Sequence, residues 1–442
     1  IVKEYDETVL KDITISLSKP LNYSINRAIK ESIGITGNQL YSNWIEYLKD
    51  HYAKQISNIQ DKKNYTILES EGEENINPRW SPDSKKIAYL SNKERDYFGR
   101  TDLFIYTLED STHEKIVPSV KSIPAWINDS LIVYTKVSER DKNGSKYFDL
   151  YEYNFSTEEE EPLTEGLRLH SPVYDKINDK IIALNTYDGS SNLVVGNRDF
   201  TEYEILTNFE NGIQIYSISL YNQNYIIDAV LNHERNLYLI DSSTGELNSM
   251  KEEPWDVRDP IYKDNTLLYS DDKYGIHNIY FKNQEQEGYV TNVIGGAFKP
   301  DISNDGKIVF SLFQEGGYKL ALLDNPSIIN SNIGVILDNK EDYVQRPTSV
   351  LIDSQVEEPS KMYEEEMTGP FFFPRIMIDN DTFKPGLYFF DNEALRNFSV
   401  MSGFAMNSIK DIDFFLLFDY NKNLFTYYFN FYWLSRHTSR NL

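Results

Sequence analysis

Two His-Glu pairs in this chain begin like the helical zinc motif of metallopeptidases. In that motif a second histidine follows four positions after the first, and the glutamate acts as the base. The pairs are His113-Glu114 and His233-Glu234. The position of the second histidine holds Val117 in one case and Leu237 in the other. Neither pair therefore predicts a zinc site.

Other reaction chemistries lack support from the residues present. The chain has no cysteine, and the Gly-x-Ser-x-Gly nucleophile elbow of serine hydrolases does not occur. The histidines His170, His233 and His277 fall in different units of a repeat, where scattered histidines are usually structural. Acidic turn residues lack the spacing of an EF-hand calcium loop; they are Asp271, Asp272, Asp301, Asp305, Asp379 and Asp381. We predict no catalytic, cofactor-binding or metal-binding residue here, and whether the chain is part of an enzyme stays open.

The elements that would carry any site form a six-fold recurrence with a period of about 40–50 residues. Each unit contains a turn, a β-rich run, a polar loop and a second β-rich run, as in Asn77–Leu108. The first runs begin at Ile87, Leu131, Ile181, Tyr225, Leu267 and Ile308, and the second at Asp102, Asp149, Asn192, Asn236, Asn278 and Lys319. This period predicts a six-bladed β-propeller, because one small sheet cannot bury its faces without neighbours.

Turn residues and prolines support the boundaries of the units. Ser81-Pro82-Asp83 and Asn304-Asp305-Gly306 precede the first run of their units, where tight turns favour such residues. Trp80 and Trp126, each two residues after a proline of the repeat, are expected to pack between blades. The strand at residues 65–70 is expected to complete the last blade and so to remove an exposed sheet edge. The recurrent prolines are Pro78, Pro124, Pro172, Pro260 and Pro300, with Tyr216 at the remaining position.

The regions outside the repeat give the domain organisation. Stripes of apolar residues predict two helices, one ending at Gly34 and one beginning at Ser42 or Asn43. We expect a helical segment at 1–60 as the tail of an upstream domain, the propeller at 61–325, an acidic linker at 326–370 and antiparallel strands at 371–442. The chain starts at Ile1 without a signal-peptide pattern, so we interpret it as a piece of a longer protein. The predicted fold class is mainly β, a six-bladed propeller preceded by a short helical segment and followed by an acidic linker and antiparallel strands.

The last segment alternates strongly between two faces. Phe425, Tyr427, Phe429, Phe431 and Trp433 fall on one face, and more polar residues fall on the other. This pattern suits a membrane strand between lipid and a polar lumen. It equally suits an amphipathic sheet in a soluble sandwich. Five strands at most are present, and these are too few to close a barrel.

Composition restricts the partners of the chain. With 69 acidic and 44 basic residues its formal net charge is −25, which argues against a nucleic-acid-binding surface. Loops between the strands of a blade are the expected contact surfaces, because a rigid ring positions them. These loops are Asn92–Arg100, Glu139–Lys146 and Asp271–Tyr274. The acidic run Glu158–Glu161 is interpreted as a solvated loop. The candidate contact residues are Asn92, Arg95, Tyr97, Arg140, Lys142, Asp272 and Tyr274.

The first unit resembles the WD-like repeat of TolB-type propellers. The matching residues are Pro78, Trp80, Ser81, Pro82, Asp83, Asp102, Leu103 and Tyr106, while Ser84 replaces the usual glycine. Residues 34–52, with Gly37, Leu40 and Trp44, resemble the closing helices of peptidase MA-like domains. Residues 370–420 resemble the entry strands of surface-antigen-type outer-membrane barrels. Together these resemblances imply a bacterial envelope protein with a periplasmic propeller that is anchored at the outer membrane.

Three hypotheses for function follow. The leading hypothesis is a non-catalytic module of the cell envelope that presents its loops to a protein or peptide partner, without cofactor or nucleic acid. The first alternative is a propeller that gates substrate for a metallopeptidase domain upstream of residue 1. The second is a sugar- or metal-binding propeller in which the three histidines point into the central channel.

Overall fold

The computed structural model describes residues 1–19, 22–57, 59, 64–97, 99–138, 140, 144–187, 189–210, 212–329, 362–379 and 382–436. The chain divides into two compact units, Ile1–Glu341 and Asp342–Leu442, which are described separately. Most of the predicted linker at 326–370, namely residues 330–361, lies outside the described residues.

Helices open the first unit. They are α1 (Val2–Tyr5), α2 (Thr8–Leu17), α3 (Ile25–Ile33) and α4 (Gly37–Ile56). As predicted, α3 ends at Gly34, which has the left-handed φ of 81° that glycine adopts without strain. Helix α4 begins earlier than predicted, because Thr36 and Gln39 form a capping box that satisfies its first free N–H groups. None of the described helices is both long and apolar enough to cross a lipid bilayer.

Six four-stranded antiparallel sheets follow and form the blades of the predicted propeller. Blade 1 contains β2 (Asn75–Trp80), β3 (Lys86–Ser91), β4 (Asp102–Thr107) and β5 (Thr112–Val117). Blade 2 contains β6 (Ala125–Asn128), β7 (Leu131–Val137), β8 (Phe148–Asn154) and β9 (Glu159–Pro162). Blade 3 contains β10 (Leu169–Asp175), β11 (Lys180–Tyr187), β12 (Ser190–Asn197) and β13 (Tyr203–Ile205).

The other three blades complete the ring. Blade 4 contains β14 (Gln214–Tyr221), β15 (Asn224–Leu231), β16 (Glu234–Ile240) and β17 (Leu247–Lys251). Blade 5 contains β18 (Val257–Lys263), β19 (Thr266–Asp271), β20 (Asn278–Lys282) and β21 (Glu287–Tyr289). Blade 6 contains β22 (Ala297–Ile302), β23 (Ile308–Gln314), β24 (Gly317–Leu323) and, as its outer strand, β1 (Thr66–Glu69) from the start of the chain.

The ring closes as the sequence predicts, because β1 pairs with β24. A buried ion pair joins this closing strand to blade 1: Lys93 Nζ lies 2.5 Å from Glu69 Oε2. Tyr89 donates a hydrogen bond to the same carboxylate at 3.3 Å. Burial opposes ionisation of Glu69, but the hydrogen bond from Lys93 and backbone N–H groups keep its pKa below the usual value.

The repeated β-rich runs are the second and third strands of each blade. The sequence pattern did not predict the first and fourth strands, because these strands are short, bulged or polar. The clearest correction concerns Glu158–Glu161, interpreted above as a solvated loop. Residues Glu159–Pro162 form β9, the outer strand of blade 2; its four residues are exposed, as expected, but they pair with β8.

Apolar clusters fill each of the six blade interfaces, and the two tryptophans lie where they were expected. Trp80 packs with Val309 and Leu322 between blades 1 and 6. Trp126 packs with residues of blade 1 and donates a hydrogen bond from its Nε1 to the carbonyl of Arg79 at 3.2 Å. These contacts stack each blade on its neighbour.

An Asp or Asn at or near the start of the third strand holds the loop that leads to the next blade in each of the first five blades, and in four of them it is buried. Its side-chain oxygen accepts a backbone N–H seventeen residues further along in blades 1 to 4 and fifteen in blade 5. We call these residues loop anchors; they are Asp102, Asp149, Asn192, Asn236 and Asn278. Blade 6 has no following blade, and Lys319 there donates instead to the carbonyl of Ser70 beside the closing strand.

The second unit contains one five-stranded antiparallel sheet in chain order. Its strands are β25 (Phe371–Asp379), β26 (Thr382–Asn392), β27 (Phe398–Met406), β28 (Ile412–Tyr420) and β29 (Tyr427–Ser435). Residues 421–426 connect the last two strands. The fold class is thus confirmed, whereas the exact domain boundaries stay a prediction.

We expect the loop anchor Asp149 to be important for stability. Asp149→Ala should lower the free energy of unfolding by about 2–3 kcal/mol, because the N–H groups of Gly166 and Leu167 lose a buried acceptor. Asp149→Asn, which introduces the side chain used in blades 3 to 5, should cost less than half of that. Urea unfolding followed by tryptophan fluorescence measures both; equal midpoints for wild type and Asp149→Ala would contradict the role of the anchor.

The closing ion pair gives a second prediction. Lys93→Met should cost about 3–5 kcal/mol, because it leaves the Glu69 carboxylate buried without its partner. The double variant with Glu69→Leu should regain part of that loss. Lys85→Met, which changes an exposed lysine, is the control and should stay within about 0.5 kcal/mol of wild type. Thermal unfolding measures all four proteins, and an unchanged Lys93→Met variant would show that the pair does not hold the ring closed.

Candidate functional site: the mouth of the channel

The propeller has two faces that differ in the connections they carry. Antiparallel strands place alternate connections at opposite ends of a blade. One face carries the turns between first and second strands and between third and fourth strands; we call it the turn face. The other carries the loops between second and third strands and the loops leading to the next blade; we call it the mouth face. The three loops predicted to contact partners all lie on the mouth face.

The turn face is occupied by contacts between blades. In blade 1, Ser81 Oγ donates to Asp83 at 2.7 Å and accepts the N–H of Lys86. The N–H of Asp83 in turn donates to Asp129 of blade 2 at 2.8 Å. The Ser-Pro-Asp turn of blade 1 therefore has a structural role.

The first strands of the blades contact one another around the axis and form the wall of a central channel. Several of them contain a bulge at the recurrent proline, where the preceding residue has a positive φ. These residues are Asn77, Ser171, Asp259 and Lys299. The repeated prolines thus mark the points where polar residues reach the channel.

A cavity of 920 Å³ opens along this channel at the mouth face. Its wall includes Lys121, Lys146, Arg168 and Lys299, and no carboxylate of a described residue lines it. Arg168 lies over the ring of Tyr147 at 4.5 Å. The cavity wall is therefore strongly cationic in a chain whose net charge is −25.

Hydroxyl groups and one histidine line the same cavity. Ser122 Oγ donates to Thr135 Oγ1 at 2.5 Å and accepts the N–H of Ser171 at 3.0 Å. The ring of His170 lies 3.2 Å from Ser171 Oγ and 3.4 Å from Thr186 Oγ1. Burial lowers the pKa of His170, so its ring favours the neutral form at neutral pH. Apolar surface is contributed by Ile123, Val137, Phe148, Ile215 and Tyr216.

A second cavity of 310 Å³ shares Asn77, Tyr216 and Lys299 with the first and has balanced charges. Lys299 Nζ lies 2.5 Å from Asp259 Oδ1. Arg235 donates from Nε to Asp228 at 2.9 Å and lies over the ring of Tyr216 at 4.2 Å. Although burial opposes it, Lys299 and Arg235 keep the pKa of Asp259 below the usual value. These pairs leave little uncompensated charge in this part of the channel.

The predicted contact residues have different surroundings. Asn92 is buried and accepts the N–H groups of Glu73 and Glu74, and Arg95 forms a two-hydrogen-bond pair with Asp102. Tyr97 and Arg140 are exposed.

The remaining predicted residues lie on blade 5 or outside the described part. Asp272 accepts the N–H of Asp256, and burial raises its pKa. Tyr274 contacts the ring of Tyr289 at 5.9 Å. Lys142 lies outside the described residues. None of the described candidates lines the cationic cavity; whether they contact a partner stays a prediction.

The histidines of the metal-binding alternative lie on three blades. His170 lines the cavity, His233 lies in the turn between β15 and β16, and His277 packs on Phe298 at 4.9 Å. Burial and the charge of Arg258 lower the pKa of His277 to about 4. Within the part of the chain that the structure describes, no three His, Asp or Glu lie close enough to hold a metal ion.

The residues of the cavity were only partly accessible to sequence reasoning. Lys146 belongs to a loop that was predicted to make contacts, but Lys121 and Arg168 lie in loops between blades that were not considered. The position of these two residues in the repeat could have identified them, because each follows the outer strand of one blade and precedes the first strand of the next.

The sheet of the second unit has one apolar face. By its register, rungs such as Phe372–Phe389–Ser402–Leu416–Phe431 and Pro374–Leu387–Phe404–Phe414–Trp433 cross all five strands. Many of these side chains are exposed, including Phe404 and Trp433. The other face holds the fully buried Lys384, whose Nζ lies 2.9 Å from Asp413. An exposed apolar face this wide indicates contact with another apolar surface.

Comparisons with known proteins concern the fold alone. No protein family matches the chain, and no curated protein matches its sequence. Among solved structures it is similar to TolB from Acinetobacter baumannii, with 15% identity, a TM-score of 0.42, and coverage of 56% of this chain and 66% of TolB. It is also similar to the β-propeller domain of the Trilobed protease from Pyrococcus furiosus, with 15% identity, a TM-score of 0.40, and coverage of 62% and 85%.

Proposed function

We propose that the chain is an interaction module whose propeller binds a protein or peptide partner at its mouth face. The observation that carries the proposal is the 920 Å³ cavity at the channel mouth, which combines cations, hydroxyl groups and apolar surface. Concave sites with apolar walls and a few polar groups are the usual binding sites of proteins. On the turn face, the turn of blade 1 is engaged in contacts with blades 2 and 6, and the cavity between blades 4 and 5 is smaller, at 680 Å³.

Binding of this kind requires no bond-breaking group.

The gating alternative, in which the propeller controls access to an upstream peptidase domain, is favoured by one observation. The cavity at the mouth and the second cavity share Asn77, Tyr216 and Lys299 in their walls, so open space at the channel extends beyond the first cavity. It predicts an HExxH helix in the sequence before Ile1, and the complete reading frame tests that.

Attachment to a membrane is the second part of the proposal. We propose that the apolar face of the five-stranded sheet contacts lipid and anchors the chain at a bacterial outer membrane, with the propeller in the periplasm. The exposed rungs of aromatic side chains support this, since lipid-facing strands carry such side chains on one face and polar ones on the other. The resemblance of residues 370–420 to surface-antigen-type barrels supports it as well.

A photo-cross-linking experiment tests the binding face. Tyr187 and Ile177 are both exposed. Tyr187 ends β11 on the mouth face, and Ile177 lies in the turn before β11 on the turn face. A photoreactive phenylalanine at Tyr187 should cross-link one defined partner from bacterial envelope extracts, whereas the same residue at Ile177 should not. Cross-linking of equal strength at the two positions, or at neither, would contradict binding at the mouth face.

Membrane contact is tested by two neighbouring residues of β29. Phe431 lies on the apolar face and Tyr432 on the other face, and both are exposed. Phe431→Lys should weaken association with phospholipid vesicles by about 2–4 kcal/mol, the cost of a lysine at the lipid midplane. Tyr432→Lys should have a much smaller effect. Vesicle flotation measures both variants, and equal losses would favour the soluble-sandwich interpretation.

A further inference from the structure

We infer that the ligand of the cationic cavity is an acidic peptide segment, whose carboxylates bind Lys121, Lys146 and Arg168 while its apolar side chains contact the cavity wall. This inference rests on the proposed function and specifies the chemical class of the partner.

The charge of the cavity carries the first step. Among the four cations in its wall, Lys299 is the one with a carboxylate partner in the described part of the chain, Asp259. Among the described residues, Lys121, Lys146 and Arg168 form no ion pair. Lys121 donates to the carbonyl of Gly99, and Arg168 lies over Tyr147. Three cations without counter-charge around one cavity favour an anionic ligand.

The negative net charge of the chain repels an acidic ligand at long range but has little effect on binding once the ligand contacts the cavity. At physiological ionic strength the Debye length is about 8 Å, so exposed carboxylates farther away than that are largely screened. Inside the cavity the ligand lies next to the three cations, and protein walls of low dielectric strengthen their field. Acidic segments should therefore bind here and be repelled from most of the remaining surface.

The rest of the wall favours a peptide over other anions. Phe148, Ile215 and Val137 provide apolar contacts that inorganic phosphate cannot use. The hydroxyl groups of polyuronic acids would lose water against these side chains without gaining hydrogen bonds. A peptide that alternates acidic and apolar residues can contact both the cations and the apolar wall. The hydroxyl groups of Ser122, Ser171 and Thr186 line the same cavity and can form hydrogen bonds with the peptide backbone.

The test compares two variants of the complete chain with equal charge change. The mouth variant replaces Lys121, Lys146 and Arg168 by glutamine. The control variant replaces Lys85, Lys176 and Lys180 by glutamine; these are exposed and lie in or directly beside turns of the turn face. The fluorescent probe is a short peptide of alternating glutamate and leucine, with its glutamine-leucine counterpart, an oligogalacturonate and inorganic phosphate as comparison ligands. Fluorescence anisotropy measures direct binding and competition.

We expect the glutamate peptide to bind wild type and the control variant alike, and to bind the mouth variant at least about tenfold more weakly. Its affinity should fall as salt rises, and the glutamine peptide should bind poorly. Equal binding by both variants, stronger competition by oligogalacturonate or phosphate than by the peptide, or no binding at all would overturn the inference. If the Tyr187 cross-link to a partner forms with unchanged yield in the mouth variant, the proposed function survives and the acidic-peptide inference fails.

Discussion

The architecture depends on the tie between each blade and the loop that leads to the next. A loop between blades brings backbone N–H groups to the edge of a closed core, where each must find an acceptor. The Asp or Asn near the start of the third strand supplies it, at a sequence distance that is the same in four blades. Because the anchor holds the loop, it also fixes the first strand of the next blade, and that strand forms the channel. The cationic cavity is thus built on these ties.

The sequence predicted the parts of this fold that burial makes periodic. The second and third strands lie between neighbouring sheets, so their residues are apolar in continuous runs that the repeat reveals. The outer strands face solvent and carry sequences such as β9 with three glutamates, which cannot be distinguished from a loop without their partner strand. The first strands contain prolines at bulges, and a proline in a strand usually argues against it. Closure by β1 was predictable because this strand has no partner in its own unit, so it must pair with the exposed edge of another sheet.

The candidate site was less predictable for a physical reason. Lys121, Lys146 and Arg168 come from different loops, and no spacing in the sequence brings them together. Their common location follows only from the ring, which brings two inter-blade loops and one blade loop to the same mouth. Asn92 and Arg95, predicted as contact residues for their position in a loop, form hydrogen bonds with Glu73, Glu74 and Asp102 that stabilise this loop, and their contact with a partner stays a prediction. A polar residue in a loop therefore identifies a contact surface only when its hydrogen bonds are known.

Charge is distributed differently around the two cavities. Ion pairs that stabilise the fold surround one of them, whereas cations available to a ligand line the other. Around the second cavity, Arg235, Lys299, Asp228 and Asp259 compensate one another, as buried charges must if the fold is to tolerate them. In the wall of the cationic cavity, Lys121, Lys146 and Arg168 are exposed to water, and cations without an ion-pair partner among the described residues cost little there in the free protein. A ligand that brings its own carboxylates gains the interactions that the protein leaves unused. Binding at Lys121, Lys146 and Arg168 therefore need not disturb the ion pairs around the second cavity, and the ring can act as a rigid support for recognition.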